Sequence, residues 1–512
     1  MTASAFEGEI VLPDGRHELT PEADAALGES RLHNKDLAPV PITKRTWTTY
    51  NYLALWVGMS INIPSWLLAS GLVALGMAWY QAILTIALAN VIVLIPMLLI
   101  SHAGTKYGIP YPVFARAAFG VFGANLPALI RAGVACGWFG IQTWIGGTAV
   151  FAVVAALLGE GSFWTTAGTL AIGFGDPQPW TVWLSFAVFW AINILVILRG
   201  MDAVRRFENW AAPFLIVVFA GLLVFMVIQA GGLGPIVSEP GTLGWGSGFW
   251  AIFPLSLMGM IAFWSTLSLN MPDFTRFGKS QREQVLGQVV ALPTTMTVFA
   301  AMGVLITSAT VIIFGRAIWD PVQLVAQFKA PVVVAISMFT AVVATLAVNI
   351  AANVVSPAND FANAFPRLIR FKTGGLITGI IGILMQPWKL LADPSGYIFL
   401  WLLGYSGGLG SIAGVLIADY WLVRRKELVL EDLYLVHGAY RYGGGWNWKA
   451  VVATVVGCAL AWGGLVVPSL KPLYSYAWFV GFLASGLLYW ALSARARPVA
   501  VREAVAGADA AD

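Results

Sequence analysis

Trp138 and Gln142 lie four residues apart, and Asn349 and Asn353 repeat that spacing within AVNIAANVVSP. Each pair shares one face if its segment is helical. Asn62 stands in an Asn-Ile-Pro interruption of one apolar run, and Trp264 follows a Pro254–Gly259 interruption of another. Indole faces stack on flat rings, and amides both donate and accept hydrogen bonds. Together they suit a neutral, planar heterocycle whose ring carries N–H and C=O groups. Each residue also has a plainer reading. A tryptophan, one of 23 here, packs or belts a membrane interface, and an amide bonds a neighbouring helix. The binding reading therefore depends on four segments converging.

Covalent and metal chemistry have weaker support. Gly404-Tyr405-Ser406-Gly407-Gly408 fits GxSxG, but no strand precedes it and the run is apolar and helical. Helix packing through small residues explains it better, as it does Gly375–Gly379. His17, His33, His102 and His437 form neither HExxH nor a metal-ligand spacing. Cys136 and Cys458, both in apolar segments, are too few for a disulfide framework or a CxxC site. Arg131 falls inside the third apolar run, while Asp273 and Asp360 read most plainly as helix-end carboxylates. A membrane-embedded enzyme, the alternative class, should show buried catalytic charges or a histidine cluster. No metal or cofactor is expected.

The elements that must hold these residues belong in lipid. Charged residues make up 11% of the 512, against about 25% in soluble domains, and hydrophobic residues make up 59%. So few charges could not cover such a core in water. The 54 glycines let helices approach closely where no aqueous hydrophobic drive acts. The net charge of +4 sits at the ends of apolar runs rather than in a basic domain, which argues against a nucleic-acid partner.

A span needs about 20 apolar residues. That length predicts an all-α polytopic membrane protein of twelve transmembrane helices, at 50–78, 81–101, 121–157, 181–199, 210–229, 249–271, 287–314, 331–356, 374–388, 396–422, 450–468 and 474–493. Residues 1–49 and 494–512 read as solvated, partly disordered tails, and no cleavable signal peptide is expected. With both tails in the cytoplasm, outside loops keep only Arg316, Lys329, Lys389 and Lys471, and the remaining loop Lys and Arg lie inside. Interruptions in helices one and six, five apart, point to a five-plus-five inverted repeat, 50–229 and 249–422, followed by two helices at 450–493.

Longer stretches carry a resemblance. HAGTKYGIPYPVFARAAFG (102–120), GANLPALIRAG (123–133), WFGIQTW (138–144), NMPDFTRF (270–277), NIAANVVSPANDFANAFPR (349–367) and ADYWLVRRKELVLEDLY (418–434) resemble the nucleobase-cation-symport-1 transporters. The similarity runs from about Arg45 to Trp478, and KRTW (44–47), NIP (62–64) and GGLGPI (231–236) look particularly like bacterial allantoin permeases. Members carry nucleobases, hydantoins and allantoin. The resemblance implies a LeuT-type fold in which a bundle and a scaffold alternate access. It also implies that the ligand ring lies between Trp138 and Trp264, with Gln142 and Asn353 as its amides. Asn62 replaces a glutamine and Phe263 a glycine of the hydantoin member, so pocket shape should differ.

The implied cation site departs further. Carbonyls would come from Gly58, Ile61 and Ala344, but Ala347 and Val348 stand where a serine and a threonine hydroxyl complete the sodium shell. Hard cations need oxygen ligands, so sodium coupling is in doubt and a proton, or no ion, is expected. The reading is a transporter, acting as a monomer in a bacterial cytoplasmic membrane, for allantoin or a hydantoin, with uracil or another nucleobase as the alternative.

Overall fold

The computed structural model describes residues 8–159, 161–173, 176–199, 201–325, 327–328, 331–389 and 401–494, with backbone alone over 201–213. Its first feature corrects the expected tail. Residues 8–47 form an ordered cap that opens with the hairpin β1 (Glu9–Val11) and β2 (His17–Leu19) and the helix α1 (Pro21–Leu27). The polar groups that suggested solvation instead bond to backbone. Arg45 donates to the carbonyls of His17 at 2.8 Å and Val40 at 2.7 Å, and Asn34 to those of Pro366 at 2.8 Å and Ile369 at 3.0 Å. A polar segment orders when such docking ties it down. The second tail lies, from 495 onward, outside the described residues.

Asn62-Ile63-Pro64 splits the first span as expected. Proline cannot donate to the turn before it but suits a helix's first turn. The chain therefore leaves α2 (Thr49–Ser60) and restarts as α3 (Ile63–Ala74), bent by 59°. The long α4 (Trp79–Tyr107) and short α5 (Tyr111–Phe119) lead to α6 (Asn125–Leu158), α7 (Trp180–Arg199) and α8 (Met201–Gln229). The second half runs through α9 (Leu233–Ser238), α10 (Ser247–Asn270), α11 (Pro272–Thr275), α12 (Gln281–Phe314) and α13 (Pro321–Val325). It continues as α14 (Pro331–Asn353), α15 (Val355–Ala364), α16 (Phe371–Leu384) and α17 (Leu403–Ile417), then α18 (Trp448–Val466), α19 (Lys471–Ser475) and α20 (Ala477–Ser493).

Among the described residues, 8 helices are long and apolar enough to cross a membrane, α14 and α15 counting as one, and bent pairs bring the number to 10. Shorter apolar helices, Phe214–Gln229 and α16, stand at the expected fifth and ninth spans. Residues 396–400, the expected start of the tenth, lie outside the described residues. One expected break is absent. Helix α10 is continuous from Ser247 to Asn270 with Pro254 inside it. A single missing donor is tolerated where neighbouring helices and local adjustment re-satisfy the backbone.

Packing divides the helices into groups. One gathers α2, α3, α4, α10 and α12; a second gathers α6, α7, α14, α15 and α16. Contact between the two, chiefly α6 with α10 and α14 with α2 and α3, is sparse. Small residues set the close crossings: a Cβ on Gly140 would strike the Gly382 carbonyl, so α6 and α16 touch backbone to backbone. The GxSxG run has the same use. Gly407 packs on Ala461 and Trp462, Gly410 and Gly414 of the same helix face the Trp478 and Phe482 carbonyls, and Ser406 Oγ donates to Leu403 O at 2.9 Å.

Candidate functional site

The break in the first span ends α2 beside the middle of α10, and across the gap between the two groups stand α6 and α14. There the structure places a cavity of about 30 Å³. Its lining includes all six residues expected to bind substrate: Asn62, Trp138, Gln142, Phe263, Trp264 and Asn353. Met59, Thr266, Leu267, Val348 and Ala352 complete the wall. No lining residue carries a formal charge, which suits a neutral ligand.

The polar atoms are not equally free. Asn62 Oδ1 accepts from the Ser65 N–H at 2.8 Å, capping α3, and its Nδ2 donates to Met59 O at 2.5 Å. Asn62 therefore holds the helix break with one hydrogen bond on each amide atom, which leaves its second N–H and second lone pair for a ligand. Asn353 Nδ2 donates to Asn349 Oδ1 at 3.0 Å, leaving its own Oδ1 as an acceptor. Asn349 in turn donates to Thr143 Oγ1 and Asn193 Oδ1, both at 3.2 Å, so its role is to anchor α14 to α6 and α7. Gln142 Oε1 and Trp264 Nε1 are buried with no hydrogen-bond partner among the described residues.

The aromatic walls differ from a simple open sandwich. Phe263 meets Trp138 edge to face, with centroids 5.3 Å apart, and meets Trp264 the same way at 4.8 Å. Its ring thus takes up space at both indoles, beside a cavity of about 30 Å³. Sequence reading missed Tyr405, which sits in the GxSxG run set down to packing. Its hydroxyl accepts from Trp138 Nε1 at 3.2 Å and donates to Ala262 O at 2.9 Å, fixing one indole against α10.

Two of the three carbonyl positions of the implied cation site fall at the break. Gly58 lies in the last turn of α2, Ile61 caps that helix and is buried, and Ala344 is buried in α14. Val348 lines the cavity and Ala347 packs in an apolar cluster with Val343 and Phe214. Among the described residues no group of three or more His, Cys, Asp or Glu could hold a metal ion.

The family model described as a permease for cytosine and purines, uracil, thiamine and allantoin matches residues 39–481. The chain belongs to this permease family. It is 43% identical to an allantoin permease of Bacillus subtilis over 90% of this chain and 93% of that one. It is 39% identical to a purine-uracil permease of Arabidopsis thaliana, covering 92% and 79%. Among solved structures it resembles Mhp1, a nucleobase-cation-symport-1 family transporter in a closed conformation with bromovinylhydantoin bound. The TM-score is 0.74 at 25% identity, over 91% of this chain and 97% of that one. The permease has the LeuT-type architecture, shared also with the more distant MhsT, solved in complex with L-phenylalanine, at a TM-score of 0.53 and 16% identity.

Proposed function

We propose that this permease carries a neutral cyclic ureide, allantoin or a hydantoin, across the bacterial cytoplasmic membrane by alternating access. The observation that carries this reading is the polar edge of the cavity. Asn353 presents an acceptor and Gln142 an amide with an unpartnered oxygen, at an uncharged aromatic slot. A ring that alternates N–H and C=O groups meets those needs, with Trp138 and Trp264 stacking on its faces. Leaving such buried groups unpaired is costly, so analogues lacking the matching donors are rejected. Identity to the Bacillus allantoin permease supports the ureide.

A second reading, uracil uptake, has its support in the plant purine-uracil permease, since uracil offers a similar edge. Competition among radiolabelled allantoin, hydantoin and uracil for uptake by one expressing strain separates the two. Saturable allantoin entry that uracil fails to inhibit is the expected result. Failure of all three to enter removes the substrate class. The chain acts as a monomer with both termini in the cytoplasm. A proton gradient rather than sodium drives it, because Ala347 and Val348 offer no side-chain oxygen.

A further inference from the structure

About two helical turns from the cavity, toward the N-terminal cap, lies a second polar cluster that substrate binding does not use. Arg131 precedes Trp138 on α6 by seven residues, and Asp360 follows Asn353 by seven. Asn270 follows Trp264 by six. At 1.5 Å per residue, Arg131 and Asn270 are roughly 10 Å along their helices from the pocket, and Asp360 lies in the second turn of α15, just past the turn at Val354. The same three strands of structure that line the site thus lead directly to the cluster.

Its members are sealed from water. Arg131 is 1% exposed, Asp273 1% and Asp360 0%. Arg131 Nη2 donates to Asn270 Oδ1 at 3.0 Å, and Asp273 Oδ1 accepts from the Tyr111 N–H at 3.0 Å. Arg131 Nε and Nη1, the Tyr111 hydroxyl and both oxygens of Asp360 have no hydrogen-bond partner among the described residues. None of the ion pairs among those residues joins Arg131 to either aspartate. The charged groups acting on Asp360 are Arg131 from α6 and Asp273 from α11, of opposite sign. Arg276 acts on Asp273, and its Nη1 is spent on the Asp36 carbonyl at 2.9 Å.

We propose that Asp360 is a proton-binding site, holding a proton in this closed form and losing it to water when the N-terminal side opens. An ionised carboxylate with no donor in a dry interior is far costlier than a neutral acid. Arg131 and Asp360 belong to one helix group, whereas Asn270 and Asp273 belong to the other. While Asp360 is neutral, Arg131 is free to bond across the gap to Asn270, tying the groups together. Once the proton leaves, the carboxylate attracts Arg131 back within its own group, and the tie across the gap is lost. Proton occupancy is thereby linked to closure of this side. This supplies a titratable group, away from the implied sodium shell, to a permease whose Ala347 and Val348 offer that shell no hydroxyl.

The proposal rests on the transporter reading for its link to opening, but its first test needs no substrate. Infrared spectra of the purified protein in detergent at neutral pH should show a protonated carboxyl C=O band. Asp360→Asn should abolish that band, and Asp273→Asn should keep it. A wild type without the band, or a band unchanged in Asp360→Asn, overturns the assignment. If Asp360→Asn does not fold, Asp360→Glu should fold and shift the band; an unshifted band counts against Asp360. In proteoliposomes, Asp360→Asn should retain allantoin counterflow while losing stimulation by an acid-outside gradient. Stimulation equal to wild type rejects the link. Wild-type protein without counterflow sinks the substrate reading and leaves the infrared result to stand for the proton site.

Discussion

Asn353 Nδ2 donates to Asn349 Oδ1, one turn back on the same helix, at 3.0 Å. The bond fixes which way the Asn353 amide points and divides labour between two residues that the sequence presents as equals. Asn353→Ala should weaken substrate binding by about 1–3 kcal/mol, through loss of an acceptor to a buried ligand N–H. Asn349→Ala should act first on stability, because Thr143 and Asn193 lose their shared partner. Thermal melts and ligand titrations on both variants check this. A larger affinity loss in Asn349→Ala, with an unchanged melt, would reverse the roles.

Stacking supplies a second prediction. Trp138→Ala and Trp264→Ala should each lose about 1–3 kcal/mol of binding, by analogy with stacked bases, and phenylalanine should restore part of it. Tyr405→Phe probes the same wall from behind. Without its hydroxyl, Trp138 Nε1 loses a bonding partner and the indole its fixed angle. Affinity should fall by about 1 kcal/mol while maximal uptake changes less. Unaltered affinity in both tryptophan variants would place the ligand elsewhere.

Phe263 sets the size limit. Its ring sits edge-on to Trp138 and Trp264 beside a cavity of about 30 Å³. Phe263→Gly should therefore favour hydantoins with bulky substituents over allantoin, by roughly tenfold or more in relative affinity, which is about 1.4 kcal/mol. Competition by a graded series of substituted hydantoins measures it. An unchanged ranking across the series rules out the Phe263 ring as the limit.

Much of this site was legible because it follows helical spacing. Trp138 with Gln142 and Asn349 with Asn353 needed only a turn of helix to share a face, and Pro64 announced the break that brings Asn62 to the cavity wall. What was not legible depends on partners far away in the chain. Asn62 looks like a ligand amide alone, and only the fold shows that it also caps α3 and bonds Met59 to hold the break. Tyr405 could not be separated from glycine-rich packing, because its partners are 267 and 143 residues distant. Pro254 signalled a break in α10 that neighbouring packing removes. The cap at 8–47 was hidden for a similar reason: polar composition does not reveal that Asn34 and Arg45 will find backbone carbonyls rather than water.

The last prediction concerns sodium. Gly58 and Ile61 lie where the first span breaks, so their carbonyls are candidates for a cation, and Ala344 adds a third. Ala347 and Val348 carry only methyl groups at the two positions that the family resemblance assigns to the shell's hydroxyls. A hard cation left with too few oxygens must keep its water, and an apolar bundle offers little room for that. Replacing sodium by choline at constant ionic strength should therefore leave both uptake and substrate affinity within about twofold, a difference of roughly 0.4 kcal/mol. Ala347→Ser combined with Val348→Thr restores two oxygens and should introduce a sodium-dependent gain in affinity. Titrating substrate into the detergent-solubilised wild type with and without sodium decides the matter. A severalfold rise in affinity on adding sodium means that the shell is completed by other oxygens, and the proton would then lose its place as the sole coupling ion.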